Sequence, residues 1–217
     1  MISKTGFWIA LLLCIFFSVL FIIFPQIDIQ AASIFFHHDH FLKQEWMTIV
    51  RIIFASAIFW LIVILISIIL WSVFRKKYQI IRPALYLLLC FALGPGLLVN
   101  VILKDHWGRP RPVQITQFGG DKTFQKPWVI SQQCDTNCSF VAGEPSAAFA
   151  FLAFLALIKK KKLRQWPVAC LLTLNWLLIS YIRIAEGGHF LSDVLIGATL
   201  TYMVIWICYY SVYEFKY

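Results

Sequence analysis

The chain has 217 residues, of which 61% are hydrophobic and only 13% are charged, and it carries a formal net charge of +9. A soluble domain usually contains about 25% charged residues, so this composition excludes an ordinary soluble domain and indicates an integral membrane protein. In such a chain the excess positive charge is better explained by orientation in the membrane than by a nucleic-acid partner. The six cysteines show no zinc-type spacing and do not suggest a secreted disulfide scaffold.

Six apolar stretches follow one another along the chain. A helix needs about 20 apolar residues to cross the core of a bilayer, and stretches close to this length occupy residues 7–24, 49–74, 84–103, 139–158, 166–184 and 191–210. The fourth is the weakest, because Gly143, Glu144 and Pro145 fall in its first two turns. The pattern predicts an all-α integral membrane protein in which residues 1–217 form one domain, a bundle of six transmembrane helices.

The charged residues between these stretches divide into two sets. One set, on alternate connections, contains eleven cations and a single acid, Glu214. Its cations are Lys4, Arg75, Lys76, Lys77, Arg82, Lys159, Lys160, Lys161, Lys162, Arg164 and Lys216. The other set contains eight cations, among them Arg51 and Arg109, and nine acids, among them Asp28. The positive-inside rule places the first set in the cytoplasm and the second in the periplasm or outside the cell.

The outer set includes a loop over residues 104–144, which contains Cys134 and Cys138. An oxidising compartment favours a disulfide between these two cysteines, with two free thiols as the alternative.

Three outer segments carry polar residues that a membrane anchor does not need, at residues 104–112, 139–144 and 183–193. They contribute Lys104, Arg111 and Arg183, whose charges suit phosphate oxygens. The start of the fourth stretch, near Gly143, adds free backbone N–H groups, which also favour an anion. Burial beside the membrane would raise the pKa of Glu144 and keep it in the proton-donating form.

His189 and Asp193 lie four residues apart. If the last helix begins near His189, they share a face and can hydrogen-bond, which leaves the other imidazole nitrogen as nucleophile or base. Surface cations often contact only lipid headgroups, and an isolated His–Asp pair is more often structural. The occurrence of all these groups on one membrane face nevertheless favours a phosphate site.

At these residues the chain resembles the type 2 phosphatidic acid phosphatase superfamily of membrane phosphatases, whose three motifs read K-x6-RP, PSGH and SR-x5-H-x3-D. The first and third are matched at Lys104, Arg111, Pro112, Arg183, His189 and Asp193. Ile182 stands where the family has Ser. The resemblance extends to the six-span arrangement.

The second motif departs from the family. Alignment on Gly143 puts Val141 at the Pro, Ala142 at the Ser and Glu144 at the His. An alternative alignment on Pro145 and Ser146 loses both the Gly and the His of the motif. We prefer the alignment on Gly143.

The resemblance implies a metal-independent phosphatase that needs no cofactor. It implies that His189 attacks phosphorus and becomes a phosphohistidine, that Asp193 orients the imidazole, and that Glu144 replaces the histidine that protonates the leaving alcohol. The phosphate-binding residues implied in this way are Lys104, Arg111, Arg183 and Gly143.

The loop 114–138 and the glutamate in the second motif resemble the branch that includes the bacterial lipid A phosphatases, and the runs 114–120 and 134–140 especially resemble the lipid A 4′-phosphatases. The expected substrate partner is therefore lipid A or a phospholipid, dephosphorylated at the periplasmic face of the bacterial inner membrane. Undecaprenyl diphosphate and phosphatidylglycerol phosphate are alternative substrates. A transporter, or a relative that only binds phospholipid, is the alternative from another class.

Overall fold

The computed structural model describes residues 4–158 and 162–214, with the side chains in these ranges except those of residues 4 and 162–164. The predicted cytoplasmic cations Lys159, Lys160, Lys161 and Lys216, and the side chains of Lys4, Lys162 and Arg164, therefore lie outside the described residues.

Helices form nearly all of the regular structure in these ranges. They are α1 (Lys4–Ile23), α2 (Gln26–Ser33), α3 (Glu45–Phe74), α4 (Tyr78–Phe91), α5 (Lys104–His106), α6 (Gly143–Ala150), α7 (Lys162–Ala185) and α8 (Leu191–Tyr213). Two short strands, β1 (Phe36–His37) and β2 (His40–Phe41), pair as an antiparallel hairpin. The predicted all-α class is thus confirmed apart from this hairpin.

Five helical segments are long and apolar enough to cross a membrane. They are Thr5–Ile23, Glu45–Phe74, Tyr78–His106, Gln165–Ala185 and Leu191–Tyr213. Large apolar side chains such as Trp60, Leu70 and Leu171 remain exposed on them. Extensive apolar surface of this kind marks a membrane or partner contact rather than a face in water, so these faces suit lipid.

The fourth predicted span is shorter than the sequence suggested. Residues 139–142 are not helical, α6 begins at Gly143, and Phe151–Ala156 continues it as a 3-10 helix. Pro145 has no backbone N–H and is tolerated only in the first turn, so the helix cannot begin much earlier. Within the described residues, five long helices and one short helical segment stand where six spans were predicted.

The segment that carries the first motif is widened in its middle. α4 continues as a π-helix over Ala92–Leu103 and then as α5. Pro95 cannot donate a backbone hydrogen bond, which favours a widened turn. Its carbonyl accepts a hydrogen bond from Asn100 Nδ2 at 2.7 Å. A Cβ on Gly94 would lie 3.7 Å from Thr201 of α8, so this helix and α8 pass close to one another.

α8 lies at the centre of the bundle. It packs against α1, α4 and α6, and 56% of its most apolar stretch is buried, compared with 11% for α3. α8 is therefore held by neighbours on several sides.

One end of the bundle gathers polar residues from many elements. Arg51 lies near the start of α3, Glu144 at the start of α6 and Asp193 at the start of α8, whereas Lys104 and Arg183 lie at the ends of the segments that include α5 and α7. The helices thus alternate in direction, and their polar ends meet at one face.

The loop over residues 107–142 covers this end. It contains the 3-10 turns Pro112–Gln114 and Thr116–Phe118, and Cys134 and Cys138 are joined by a disulfide. Trp128 Nε1 donates a hydrogen bond to Ser18 Oγ of α1 at 2.7 Å. The loop is therefore attached to the bundle at a distance from its two ends.

Candidate active site

His189 and Asp193 lie beside one another without a hydrogen bond between their side chains. α8 begins at Leu191, so His189 precedes the helix and the pair does not have helical geometry. His189 Nδ1 lies 3.9 Å from Asp193 Oδ2, which is too long for a hydrogen bond. The condition for the predicted hydrogen bond is therefore not met, and that bond does not form. His189 Nδ1 donates instead to the backbone carbonyl of Ser139 at 2.8 Å.

This contact decides which ring nitrogen of His189 carries the proton. A carbonyl only accepts, so Nδ1 carries the proton and Nε2 of the neutral ring keeps its lone pair. His189 is 1% exposed. Burial, and then the positive charges of Arg183, Lys104 and Arg111, hold the pKa of His189 well below its ordinary value of 6.5. His189 is thus neutral at neutral pH, with an unprotonated Nε2 of the kind that a nucleophile requires.

Asp193 acts on His189 through Ser139. Asp193 Oδ2 accepts hydrogen bonds from Ser139 Oγ at 2.6 Å and from the Phe190 N–H at 2.9 Å. The carboxylate therefore caps the first turn of α8 and holds the residue whose carbonyl orients the imidazole.

Behind Asp193 lies a guanidinium that is completely buried, that of Arg109. Its Nη1 donates to Asp193 Oδ1 and to Ser192 Oγ, its Nη2 donates to Asp28 Oδ2 at 2.9 Å, and its Nε donates to the Gln125 carbonyl at 2.9 Å. Asp28 also accepts hydrogen bonds from the backbone N–H and the hydroxyl of Ser192. One cation thereby connects α2, the outer loop and α8.

Sequence reasoning missed this network. Asp28 and Arg109 counted only as members of the outer charge set. Two signals could have found them, because Asp28 is the acid of a short apolar segment and Arg109 is the first Arg of an Arg-Pro-Arg-Pro run. Charged residues in apolar surroundings are rarely buried unless they are paired.

The structure brings together the three cations predicted to bind phosphate. Lys104 Nζ and Arg111 Nη2 donate to the same oxygen, Asn137 Oδ1, at 3.0 and 2.9 Å. Arg111 and Arg183 line the same cavity. Arg183 Nε is buried and has no hydrogen-bond partner among the described residues. An unpaired buried donor of this kind suits an oxygen of a bound anion.

Two glycines leave room for these cations. A Cβ on Gly143 would lie 3.1 Å from Lys104 Nζ, and a Cβ on Gly188 would lie 2.5 Å from Arg183 Nη2. The predicted backbone site at Gly143 therefore lies directly beside the Lys104 ammonium.

Glu144 lies among the same cations, held by a residue that was not singled out from the sequence. Arg51 donates from Nε and Nη2 to the two oxygens of Glu144 at 2.9 and 2.7 Å, a bidentate pair of the strong type. Arg51 Nη1 and Arg183 Nη1 also donate to Glu186 Oε2, at 3.0 and 2.8 Å.

These contacts correct the expectation of a protonated Glu144. Burial does raise the pKa of Glu144, but the hydrogen bonds from Arg51 and the charges of Arg183 and Lys104 outweigh it and hold the pKa below its ordinary value. At neutral pH Glu144 is therefore a carboxylate.

The geometry also favours one alignment of the second motif. In the alignment on Gly143, Glu144 takes the histidine position and reaches the cations. In the alternative alignment Ser146 would be the motif serine, yet a Cβ on Gly197 of α8 would lie only 2.7 Å from its Oγ, which places the hydroxyl against α8.

Two cavities are lined in part by these residues. One of about 480 Å³ is lined by Arg51, Arg111 and Arg183 and extends to His40 and Lys43 of the first outer loop. The other, of about 420 Å³, is mostly apolar and reaches Lys104, Gly143 and Glu144. In the part of the chain that the structure describes, no group of three His, Cys, Asp or Glu side chains could hold a metal ion.

Comparison with known proteins identifies the family. A model of the PAP2 superfamily matches residues 83–217, which is more than half of the chain. The chain belongs to the PAP2 superfamily. Membership confirms the resemblance that the motifs carried and the assignment to membrane lipid phosphatases.

Three relatives are named Lipid A 4′-phosphatase. The protein of Francisella tularensis subsp. novicida (strain U112) is 40% identical over 222 residues, which cover 96% of both chains. That of Rhizobium leguminosarum is 43% identical over 56% of this chain and 50% of its own, and that of Rhizobium etli is 46% identical over 48% and 40%. No solved structure matches the chain significantly.

The PAP2 match begins at residue 83, after α3. Asp28 and Arg51 therefore lie outside the matched region, although they pair with Arg109 and Glu144 inside it. The N-terminal part of the chain supplies charges that the PAP2 motifs do not include.

Arg109 and Arg111 lie two residues apart, but we expect their substitution to affect different properties. Loss of Arg109 should lower stability, whereas loss of Arg111 should weaken phosphate binding. Arg109→Met leaves Asp28 and Asp193 buried without their cation and should lower the free energy of unfolding by about 3–5 kcal/mol. The fold disfavours the charge of Arg111, because burial and then the charge of Arg183 lower its pKa, so Arg111→Met should cost little stability. It should weaken phosphate binding, because it removes one of the cations predicted to bind phosphate. Thermal unfolding in detergent measures the difference, and equal losses of stability would contradict it.

We also expect activity to persist at pH values below 6.5. Because the folded pKa of His189 is depressed, the neutral nucleophile persists as the pH falls through 6.5 and is lost only below it. The profile of kcat/KM against pH reports the ionisation of this group in the free enzyme. The substrate phosphate also titrates in this range, so its pKa is measured by phosphorus NMR and its contribution is removed from the profile. If the acid limb of the corrected profile had its midpoint at or above pH 6.5, the assignment of this limb to His189 would be contradicted.

Proposed function

We propose that the protein removes the 4′-phosphate of lipid A at the periplasmic face of a bacterial inner membrane. The observation that carries this is the free Nε2 of His189, held beside Lys104, Arg111 and Arg183. Similarity over nearly the full length to a protein named Lipid A 4′-phosphatase supports the choice of lipid.

The orientation follows from the charges. The site lies at the end of the bundle that carries the nearly neutral charge set, so the cationic set faces the cytoplasm under the positive-inside rule. This orientation requires a sixth crossing, which residues 145–158 make after Glu144. Residues 1–217 then act as one domain, and the loop over 104–144 lies in the periplasm.

The first chemical step is transfer to His189. Nε2 attacks phosphorus, the N–P bond forms, and the P–O bond to the lipid breaks. Lys104, Arg111, Arg183 and the N–H of Gly143 hold the phosphoryl oxygens as charge develops on them. The Ser139 carbonyl accepts the Nδ1–H of the imidazolium, and Asp193 holds Ser139 in place.

The leaving alkoxide takes its proton from Glu144. Substrate brings a phosphate that competes with Glu144 for the same cations and places a like charge beside it, which raises its pKa and favours protonation. In the second step water attacks phosphorus, the N–P bond breaks, and the Glu144 carboxylate accepts the proton of the water. Inorganic phosphate leaves and His189 is restored.

The cavity of about 480 Å³ fits a large polar headgroup. It connects Arg111 and Arg183 with His40 and Lys43 on the first outer loop, so a sugar that carries the reacting phosphate can contact both. A small headgroup does not need contacts beyond the three cations.

Purified protein in detergent tests the substrate. We expect phosphate release from lipid A, located at the 4′ position by mass spectrometry, to be faster than from undecaprenyl diphosphate or phosphatidylglycerol phosphate. His189→Ala should lower kcat at least about a thousandfold, because it removes the nucleophile. Faster release from either alternative lipid would overturn the choice of lipid A, and release that survives in His189→Ala would overturn the mechanism.

The role of Glu144 predicts a dependence on the leaving group. In a single-turnover experiment, which isolates phosphohistidine formation, Glu144→Gln should slow the reaction of a lipid phosphate, whose alkoxide needs a proton, and should barely affect that of p-nitrophenyl phosphate, whose phenolate does not. The ratio of the two rates over about pH 5–9 measures this effect. Equal losses for both substrates would exclude Glu144 as the proton donor.

A further inference from the structure

The disulfide loop Cys134–Cys138 lies directly against two of the phosphate-binding cations. The Oδ1 of Asn137 accepts hydrogen bonds from Lys104 Nζ at 3.0 Å and from Arg111 Nη2 at 2.9 Å. The backbone carbonyl of Asn137 accepts from Arg111 Nη2 at 2.7 Å and from Arg111 Nε at 3.3 Å. One residue outside all three PAP2 motifs thus contacts both cations of the first motif.

These contacts orient the cations and leave donors for a ligand. An ammonium has three N–H groups and a guanidinium has five. Asn137 uses one N–H of Lys104, together with the Nε and Nη2 side of Arg111. Among the described residues, Arg111 Nη1 has no hydrogen-bond partner, so its two N–H groups are available to a phosphate oxygen. The neutral amide oxygen also brings two repelling cations together without adding a fixed negative charge.

The position of Asn137 is held from both sides. Its backbone has φ of 51°, a left-handed conformation that asparagine tolerates better than most residues. Its N–H donates to Asp105 Oδ1 at 3.3 Å. Cys138, which follows it, is completely buried and bonded to Cys134. The disulfide therefore anchors Asn137 at the point where it meets the cations.

The next residue along the chain holds the other half of the site. Ser139 binds His189 through its carbonyl and Asp193 through its hydroxyl. Three consecutive residues thus divide the task, with Asn137 on the phosphate-binding cations, the Cys138 disulfide as the anchor and Ser139 on the nucleophile.

We propose that Asn137 is a positioning residue for Lys104 and Arg111, and that the Cys134–Cys138 disulfide controls phosphate affinity by holding Asn137 in place. This inference rests on the proposed phosphatase function. Its consequence is that phosphate binding is strong in an oxidising compartment and weaker when the loop is reduced.

The redox step is an ordinary thiol–disulfide exchange. A dithiol reagent such as dithiothreitol supplies two electrons and two protons, the Sγ–Sγ bond breaks, two cysteine thiols form, and the reagent becomes its cyclic disulfide. Cys14, Cys90, Cys170 and Cys208 are already free thiols, so the reagent has one protein disulfide to act on in the described residues.

The side-chain variants test the positioning role. Asn137→Gly removes the shared oxygen and keeps a residue that accepts positive φ, and we expect KM and the Ki of inorganic phosphate to rise about tenfold with kcat nearly unchanged. Asn137→Asp keeps the shape but adds a carboxylate that competes with phosphate, so both constants should rise further. Thr136→Ala, in the same loop, is the control and should match the wild type. An Asn137→Asp variant with wild-type constants would overturn the proposal.

The disulfide variants complete a double-mutant cycle. Dithiothreitol treatment and the Cys134→Ser/Cys138→Ser variant should raise both constants as much as Asn137→Gly does, and the combined variant should show little further change, because both act through one contact. Fully additive effects, or an unchanged Ki after reduction, would overturn the proposal.

The two proposals fail in different ways. Calorimetric titration with inorganic phosphate reports the cation site without any lipid turnover. A wild-type protein that binds phosphate but releases none from any lipid would contradict the proposed function. An active wild type whose phosphate affinity is unaffected by Asn137→Gly would contradict only the role of Asn137.

Discussion

The arrangement of the site depends on one buried cation. Arg109 has no exposed surface, and its guanidinium lies between the carboxylates of Asp28 and Asp193, 4.4 Å from the ring centroid of Phe190. A charge in such a place is stable only when it is paired and hydrogen-bonded, so α2, the outer loop and the start of α8 must assemble around it together. The orientation of His189 follows, because Arg109 holds Asp193 and Asp193 holds Ser139.

The opposite side of the site balances charges in another way. Lys104, Arg111, Arg183 and Arg51 would repel one another if they were alone. The protein offsets this repulsion with Glu144 and Glu186 and with the uncharged oxygens of Asn137. A phosphate can take over part of this compensation, because unlike the carboxylates it offers several oxygens to all the cations at once. In the proposed mechanism the same carboxylates respond to the charge that the substrate brings.

Much of the site was accessible from the chain itself. Short spacing within motifs predicted Lys104, Arg111, Arg183, His189 and Asp193 as site residues, and the fold brings them together. The contacts that decide how these residues behave were not accessible in this way, because they join distant parts of the chain. Arg109 and Asp28 are 81 residues apart, and Arg51 and Glu144 are 93 residues apart. No local pattern records such a pairing, even where a single residue such as Asp28 or Arg109 stands out from its neighbours in the sequence.

The sequence by itself determined the membrane-embedded helical class, the family and the types of group available for phosphate chemistry, because hydrophobic length and motif spacing are properties of neighbouring residues. Only the tertiary structure decided the protonation and the hydrogen bonds of these groups. Glu144 is a carboxylate because Arg51 of another helix reaches it, against the effect of burial alone. His189 donates to Ser139 and not to Asp193 because α8 begins two residues after it. A pKa and a hydrogen-bond partner depend on what folding brings near a group in space, and the order of residues along the chain does not contain that information locally.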